Sequence, residues 1–334
     1  MPLSDLMRQR LVRYTELQPC TNAFIDARSP GSDKKENFTI IGPGVAENPH
    51  QHVHIREPHG FNIGGARQPP GCSNSLHSHQ TAEIFIIHQG RWRFFWGELG
   101  DAGEVILEPG DTISIPTNVF RGFENIGKDI GFMFAVLGGD DPGRVHWAPH
   151  VIEKAGSHGL VLLESGRLID TTLGEEIPAG ANVVHPSPRQ AIAHIRAPSA
   201  EEMGSNVAHR SALKAFADAP LAGSKVIDFA IILQAQDASD NSGKAAIIAP
   251  HDFSIHLLAF QAGGSTPLYE RDGAEVLLVQ SGNVAWRNDI GDSIELHAGD
   301  TFTVPAGMTR SLQASGEAEV FVVTNGAHAP RILA

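Results

Sequence analysis

The sequence is poor in features that mark several classes of protein. Its 334 residues include only two cysteines, Cys20 and Cys72, which provide no disulfide framework and are typical of a reducing compartment. No stretch is apolar for long enough to span a membrane, and the N-terminus has no apolar core of signal-peptide length, so we expect a cytoplasmic protein. A P-loop, a dinucleotide-binding glycine motif and a nucleophile elbow are also missing.

Basic residues are scarce as well. The chain has 25 Lys and Arg against 38 Asp and Glu, which gives a formal net charge of −13. This charge argues against nucleic acid or an anionic membrane surface as a partner, and no basic stripe with interleaved aromatic residues points to RNA or DNA. A small anionic substrate is still compatible, provided that its pocket contains an arginine.

Glycine and proline, in contrast, are plentiful, with 35 and 21 residues. From His59 onward they separate short apolar segments, a pattern typical of an antiparallel barrel or sandwich. The length exceeds that of one ordinary core, so two domains are the expectation. Predicted helices are short and lie near Ser4, in segment 149–159 and after Ser199.

Three candidate metal ligands lie within seven residues: His77, His79 and Glu83. Two histidines at i and i+2 of an extended segment project to the same face. Glu83 opens an apolar, β-branched run that predicts a buried strand, and a buried carboxylate needs a partner such as a cation. The competing explanation is chance, because the chain has 17 histidines.

Two other patterns have both a structural and a functional interpretation. A histidine-rich tract in the N-terminal arm can bind metal, although a surface or packing segment is the commoner explanation. An aromatic stripe at every second position is usually core or interface and less often a substrate wall. The tract comprises His50, His52 and His54, and the stripe Trp92, Phe94 and Trp96.

The second half of the chain repeats the first. Segment 251–263 matches segment 59–71 in length, with His, Phe, Ile and the final Gly in register. At the same offset Glu83 corresponds to Glu275. Such matches at nearly constant spacing predict an internal duplication of one β-rich module. A Gly-Asp-Thr motif, a proline and a later arginine also recur, as Pro116 with Arg121 and Pro305 with Arg310.

The first copy resembles the cupin family. Its first motif has the spacing of Gly71, His77, His79, Glu83 and Gly90, and Gly110 with Pro116 opens the second. The chain is thus similar to bicupins, which implies an all-β fold with two jelly-roll β-barrels and short helices in the arm and linker. We expect an N-terminal arm packing on the barrels (1–58), a first cupin domain with the metal site (59–140), an inter-cupin segment (141–245) and a second cupin domain without metal (246–334).

The chain departs from the cupin pattern at two positions. Arg121 stands where the second motif has a further histidine ligand, and Asn118 replaces a glycine. Arginine does not ligate a cation. The remaining two histidines and one carboxylate are the set expected of non-haem Fe(II) oxygenases, but the loss of a ligand could equally leave a weakened or vacant site. Candidates for a replacement ligand, among which the spacing selects none, are His59, His146 and His150.

Arg121 has two possible roles. It can hold a substrate carboxylate in a bidentate pair beside the metal, or it can neutralise Glu83 as a structural ion pair. The recurrence of arginine at Arg310 favours the structural role, because the second copy has no plausible metal site. There the two histidine positions are Tyr269 and Arg271, and we expect Glu275 to pair with Arg271 or Arg310.

The resemblance implies a metal-dependent, dioxygenase-like bicupin. Bicupins of this kind include gentisate and quercetin dioxygenases, although gentisate-type enzymes use three histidines. One divalent metal per chain is expected, Fe(II) preferred and Mn, Ni or Zn possible, with dioxygen and a small acidic or hydroxylated aromatic substrate. The alternatives are an isomerase or lyase using Zn, Mn or Ni, and a non-catalytic small-molecule-binding bicupin. A homodimer or higher homo-oligomer is expected.

Overall fold

The structure is a computed structural model and describes residues 3–216, 219–234, 245–325 and 329–333. The chain forms two compact units, each built around one copy of the repeat. The first-copy unit contains residues 18–56 and 62–209, and the second-copy unit contains residues 1–17, 57–61 and 210–334. None of the helices in the described ranges is long and apolar enough to cross a membrane. The domain limits expected from the sequence stay predictions.

Short strands make up most of the regular structure. The helices of the described ranges are α1 (Leu3–Arg8), α2 (Pro149–Ser157) and α3 (Ala200–Gly204). The strands are β1 (Leu11–Val12), β2 (Glu36–Ile41), β3 (Val53–Ile55), β4 (Phe61–Gln68), β5 (Ser73–Ser78), β6 (Glu83–Gln89), β7 (Trp92–Trp96), β8 (Gly103–Leu107), β9 (Thr112–Ile115), β10 (Arg121–Asn125), β11 (Gly131–Gly138), β12 (His146–Trp147), β13 (Leu160–Leu162), β14 (Leu168–Asp170), β15 (Val207–Ala208), β16 (Val226–Gln234), β17 (Ile247–His251), β18 (Ser254–Phe260), β19 (Tyr269–Glu270), β20 (Glu275–Ser281), β21 (Asn283–Arg287), β22 (Ser293–His297), β23 (Thr301–Val304), β24 (Ser311–Ala314), β25 (Ala318–Thr324) and β26 (Arg331–Ile332).

The first-copy unit is built from two facing sheets of the jelly-roll type. One has the order β15-β9-β6-β11-β4-β2-β3 and the other the order β12-β5-β10-β7-β8. Strands β2 and β3 come from the N-terminal arm, so part of the arm completes a sheet of the first barrel. Strand β6 is buried along its apolar run from Ile84 to Ile87, which confirms the buried strand predicted to begin at Glu83.

The second-copy unit repeats this layout strand for strand. Its large sheet has the order β1-β23-β20-β25-β18-β16-β17. From β23 to β17 these strands correspond, in the same order, to β9-β6-β11-β4-β2-β3 of the first-copy unit. The small sheet β22-β21-β24 corresponds in the same way to β8-β7-β10, and β19 corresponds to β5. The parallel pair β2–β3 recurs as β16–β17. The internal duplication predicted from the sequence is therefore confirmed at the level of topology.

The same turn glycine follows the equivalent strand in both copies. Gly90 and Gly282 have φ angles of +91° and +72°, in the left-handed region that glycine tolerates best. A Cβ atom at Gly282 would lie 2.3 Å from the carbonyl oxygen of Glu317, and one at Gly90 would lie 2.7 Å from the Cα of Gly131. A tight turn and a close backbone approach thus explain why glycine occupies this position twice.

The aromatic stripe of the first copy is core. Trp92, Phe94 and Trp96 on β7 are at most 1% exposed and pack in the cluster that fills the first barrel. The predicted helix at 149–159 is confirmed by α2, and the hairpin β13–β14 follows it. The side chain of Ser199 accepts a hydrogen bond from the backbone N–H of Glu202 at 3.1 Å and caps α3, as predicted.

Candidate metal centre and its cavity

A bulge in β5 brings two parts of this strand to the interior face. Arg121 of β10 lies opposite His77, and Phe123 lies opposite Asn74. These partners are two residues apart on β10 but three residues apart on β5, so β5 contains one extra residue. Residues directly opposite one another in an antiparallel pair project to the same face. His77 and Asn74 therefore both face the barrel interior, although simple alternation would place them on opposite faces.

The three predicted ligands converge. The potential ligand atoms of His77, His79 and Glu83 all lie within 4.8 Å of one another, and all three side chains are buried. The Nε2 atom of His79 is 3.6 Å from an oxygen of Glu83. Atoms that share one cation at about 2.1 Å in tetrahedral geometry lie about 3.4 Å apart, so side-chain shifts of about 1 Å would suffice for coordination.

Burial favours the neutral form of both histidines, and a hydrogen bond fixes the tautomer of His77. The Nδ1 of His77 lies 2.7 Å from the carbonyl oxygen of Ser75, which can only accept, so Nδ1 carries the proton and Nε2 keeps its lone pair. Burial, reinforced by the positive charge of Arg121, holds the pKa of His77 and of His79 well below the usual value. A neutral imidazole is the form that binds a cation.

Arg121 is placed against the carboxylate. Its guanidinium forms a buried ion pair with Glu83 and donates a second hydrogen bond to the carbonyl oxygen of His77 at 2.9 Å. Its Nε is buried without a hydrogen-bond partner. Burial raises the pKa of Glu83 and lowers that of Arg121, because their mutual attraction only partly offsets the loss of water around two charges.

The equivalent carboxylate of the second barrel is held by three donors. Glu275 accepts hydrogen bonds from Tyr269 at 2.8 Å, from Arg271 at 2.6 Å and from Arg310 at 3.1 Å. Burial alone would raise the pKa of Glu275, but the two guanidinium groups outweigh it and the pKa lies below its usual value. The sequence expectation of a pair with Arg271 or Arg310 is confirmed, and both arginines take part.

Asn118 explains one departure from the cupin pattern. Its φ is +56°, and it is the non-glycine residue of the described chain with a positive φ. Asparagine is one of the few side chains that adopts this left-handed conformation at low cost, so it replaces the expected glycine without changing the backbone. Its N–H donates to the carbonyl oxygen of His79 at 3.2 Å, which fixes the chain beside the site.

A cavity adjoins the three ligands. Its apolar lining includes Phe85, Phe123 and Leu137, and small residues on β4 leave the space open. Trp147 closes one side and packs on His77 with a ring-centroid distance of 5.2 Å. Polar side chains from the arm and the neighbouring strands also line it, namely Asn37, Thr39, Gln51, Asn62 and Asn74.

The arm braces the strand that carries the histidines. Lys35 and Asp26 form an ion pair that is fully buried, and Lys35 also donates to the side-chain oxygen of Asn74 at 2.7 Å. Asp26 in turn accepts from the backbone N–H of Ser75 at 3.0 Å. These contacts fix the start of β5. The sequence analysis did not single out Lys35 or Asp26, because a charged residue in a polar arm gives no sign of burial.

Glu47 holds the tryptophan wall. One carboxylate oxygen accepts from the indole N–H of Trp147 at 2.6 Å and the other from the backbone N–H of Ile25 at 2.7 Å. Burial raises the pKa of Glu47 from its usual value near 4.5 to about 8. Glu47 is therefore protonated in the folded chain at neutral pH.

This raised pKa predicts a pH dependence of stability. The folded state binds the Glu47 proton more tightly than the unfolded state, so stability falls as the pH rises from about 4.5 to about 8. Glu47→Gln has no group that titrates at this position. We therefore expect the free energy of unfolding of the variant, relative to that of the parent, to increase as the pH rises through this range. Urea unfolding at pH 5, 6.5 and 8 measures the difference. A difference that stays constant with pH would contradict the assignment.

The other histidine candidates are not gathered at the centre. His59 belongs to the second-copy unit, where its Nε2 lies 2.5 Å from the hydroxyl of Thr303. His150 is exposed on α2, and His146 stacks on His194 at 6.4 Å. His146 and His194 line a second pocket together with His79, but neither joins the group of three ligands. Cys20 and Cys72 are both buried and are not joined to each other by a disulfide.

Comparison with a family of known domains agrees with this duplicated barrel. The model of the cupin domain matches residues 66–137 and again residues 256–324. The chain is a bicupin. Its first cupin domain contains the three candidate ligands, and its second contains the Tyr269, Arg271, Glu275 and Arg310 cluster. No curated protein is similar to the whole sequence at a significant level.

Solved bicupin structures share the fold at low sequence identity. Vicilin from Corylus avellana (hazelnut) is 13% identical, with 98% of this chain and 88% of that chain covered and a TM-score of 0.54. A variant of oxalate decarboxylase from Bacillus subtilis is 13% identical, with coverage of 97% and 79% and a TM-score of 0.57. A formate complex of oxalate decarboxylase from Lactobacillus farciminis is 14% identical, with coverage of 97% and 88% and a TM-score of 0.55. At such identities the likeness concerns the fold.

Proposed function

We propose that the first cupin domain binds one divalent cation at His77, His79 and Glu83. The observation that carries this proposal is the contrast between equivalent positions of the two barrels. In the second barrel Tyr269 and Arg271 supply hydrogen-bond donors to the carboxylate. In the first barrel the same two positions are imidazoles that offer lone pairs, and a cation is the partner that satisfies both them and the carboxylate.

The charge of the site fits such a cation. Glu275 is neutralised by two guanidinium groups. Among the described residues, Glu83 has one charged partner within salt-bridge distance, Arg121, and the neighbouring His79 imidazole is neutral. A buried carboxylate is costly unless its charge is well compensated. A divalent cation between Glu83 and the two imidazoles would supply this compensation, with Arg121 holding the carboxylate from its other side.

We further propose that the bicupin is a metal-dependent, dioxygenase-like enzyme with Fe(II) as the preferred metal and dioxygen as a second substrate. Two histidines and one carboxylate form the ligand set of non-haem Fe(II) oxygenases. When bound, the iron supplies Lewis-acid and redox chemistry. A homodimer or higher homo-oligomer is the assembly that we expect.

The chain's own residues would bind and enclose the substrate. Phe85, Phe123 and Trp147 line the cavity and would exclude water from the reacting groups. We propose Arg121 as the anchor of a substrate carboxylate beside the metal. Its guanidinium holds Glu83, and its Nε has no hydrogen-bond partner among the described residues. A largely apolar cavity suits a hydroxylated aromatic acid better than a bare dicarboxylate.

The second candidate is a lyase or isomerase that uses Zn, Mn or Ni. Oxalate decarboxylases, which share the fold of this chain, are the reason to consider this candidate. At 13–14% identity the likeness concerns the fold and does not decide the reaction. In that case the metal polarises a carbonyl or carboxylate, and no dioxygen is consumed. Oxygen uptake in the presence of Fe(II) and a hydroxylated aromatic acid separates the two candidates.

Metal content tests the site itself. We expect about one divalent metal per chain in protein purified without a histidine tag, and loss of this metal in His77→Ala, His79→Ala. The matched control is His50→Ala, His52→Ala, which removes two histidines of the same spacing from the surface tract and should leave the metal in place. Iron supports the oxygenase, and zinc, manganese or nickel supports the lyase or isomerase. A parent without metal after reconstitution would leave a non-catalytic small-molecule-binding bicupin.

A further inference from the structure

One wall of the cavity has polar groups that metal binding does not use. Asn37 of β2 is only 7% exposed, and its side-chain nitrogen is buried without a hydrogen-bond partner. The side-chain oxygen of Gln51 is buried and equally without a partner. Both residues line the cavity that adjoins His77 and Glu83. We call Asn37 and Gln51 the amide pair.

Strand register places the amide pair on the interior side. Asn37 lies opposite Ala66 of β4, and Ala66 packs in the core of the first barrel with Phe85 and Ala135. Opposite residues of an antiparallel pair share a face, so the Asn37 side chain projects into the barrel. Thr39 follows two residues later on the same face and accepts a hydrogen bond from the Nε2 of Gln51.

A third amide of the same cavity shows that the barrel can satisfy such groups. The oxygen of Asn62 accepts from the backbone N–H of Gly44 at 2.9 Å, and its nitrogen donates to the carbonyl oxygen of Gly139 at 2.7 Å. An amide buried without a partner costs stability, and buried polar groups of native proteins are nearly always paired. The nitrogen of Asn37 and the oxygen of Gln51, unpaired among the described residues, can therefore bond a group from outside the protein.

We infer that the amide pair binds the end of the substrate that is remote from the metal. The inference rests on the proposed function, because it assumes that the other end is held at His77, His79 and Glu83. A nitrogen that donates and an oxygen that accepts, both on the lining of one cavity, suit a hydroxyl group or a protonated carboxyl group, since each of these groups accepts and donates. The N-terminal arm thereby supplies specificity to a site whose metal ligands come from the barrel.

The spacing of the two ends limits the class of substrate. Asn37 on β2 and Glu83 on β6 lie three strands apart in the large sheet, so they occupy separate parts of the cavity wall. The apolar side chains of Phe85, Ala135 and Leu137 also line the cavity. A fitting molecule has an apolar, flat body with oxygen groups at both ends.

Two variants with opposite expected stability test the amide pair. Asn37→Leu removes an unpaired buried amide, so we expect a higher urea midpoint than that of the parent. Asn62→Leu removes an amide of the same cavity that is fully paired, so we expect a lower midpoint. Metal content of Asn37→Leu should equal that of the parent, which separates this residue from the metal site.

Binding of two related acids gives the functional readout. The protein is loaded with Fe(II) and kept without oxygen, and calorimetry compares 2,4-dihydroxybenzoate with 2-hydroxybenzoate. The two probes share the carboxylate and the neighbouring hydroxyl, and only the first has a hydroxyl at its far end. We expect Asn37→Leu to raise the dissociation constant of 2,4-dihydroxybenzoate about tenfold, since one hydrogen bond is lost. The dissociation constant of 2-hydroxybenzoate should rise by less than about threefold.

The contrary outcomes are distinct for the two proposals. A parent that holds no metal after reconstitution contradicts the proposed function, whereas a metal-loaded parent that binds neither acid contradicts the substrate class inferred from the amide pair. A lower urea midpoint in Asn37→Leu would show that Asn37 serves the fold. Equal weakening of both acids would show that its amide does not recognise the far end of the substrate.

Discussion

Glu275→Gln is expected to destabilise the second cupin domain by about 3–5 kcal/mol, because it leaves buried guanidinium groups without their carboxylate. The carboxylate is fully buried and accepts from Tyr269, Arg271 and Arg310. Glutamine can accept at one oxygen only, and it has no charge to offset the two arginines. The hydrogen bond from the Arg310 guanidinium to the carbonyl oxygen of Met308 does not depend on Glu275.

A neighbouring glutamate provides the matched control. Glu270 lies next to Tyr269 on the short strand β19 and pairs with Arg331, whose side chain is 68% exposed. An exposed pair of this kind contributes about 0–1 kcal/mol, so Glu270→Gln should change the free energy of unfolding very little. Urea unfolding of both variants at pH 7 gives the comparison. If Glu275→Gln cost no more than Glu270→Gln, the cluster would not hold the second barrel together.

Arg121→Met is expected to cost about 3–5 kcal/mol in metal-free protein and less when metal is present. Methionine has the length of the arginine stem but leaves Glu83 buried without its ion pair. Burial already raises the pKa of Glu83, and without Arg121 the carboxyl group would be protonated or uncompensated. A divalent cation at the three ligands would restore a positive partner and with it part of the lost stability.

Unfolding with and without added Fe(II) under anaerobic conditions measures this coupling. A ligand at a hundred times its dissociation constant stabilises the folded state by about 2.7 kcal/mol, and we expect at least this gain for Arg121→Met. The control is Arg121→Met combined with His77→Ala and His79→Ala, in which the metal should have no effect. A variant that is as stable as the parent without metal would contradict a structural role, and the substrate-anchoring role of Arg121 would then be favoured.

The ligand set and the duplication were predictable because they depend on local spacing. Alternation along a strand puts His77 and His79 on one face, and an apolar run next to Glu83 predicts a buried carboxylate. Repeated glycines, prolines and arginines at constant offset predict two copies of one barrel, and the strand order confirms them. The pairing of Glu275 with arginine followed from the same alignment.

Other parts of the site have no local signature. Asn37, Gln51, Glu47 and Lys35 lie in a polar, turn-rich arm whose composition is that of an exposed segment. Asn37 is buried because β2 pairs with β4 in the large sheet and turns this side chain into the cavity that Gln51 also lines. Lys35 and Glu47 are buried by their contacts with Asn74 and Trp147. The side chain of Asn74 faces the barrel interior because of a bulge in β5. The pattern of alternating residues in the sequence does not predict such an extra residue.

The sequence by itself determined which residues are candidate ligands for a cation, that the barrel occurs twice and that the second copy replaces imidazoles with donors. These properties depend on residue type and spacing, both of which are given directly by the linear sequence. Only the tertiary structure decided that Arg121 pairs with Glu83, that the arm completes the first barrel and that an unpaired amide faces its cavity. Those contacts join residues tens of positions apart, and packing of the sheets, rather than local propensity, brings them together.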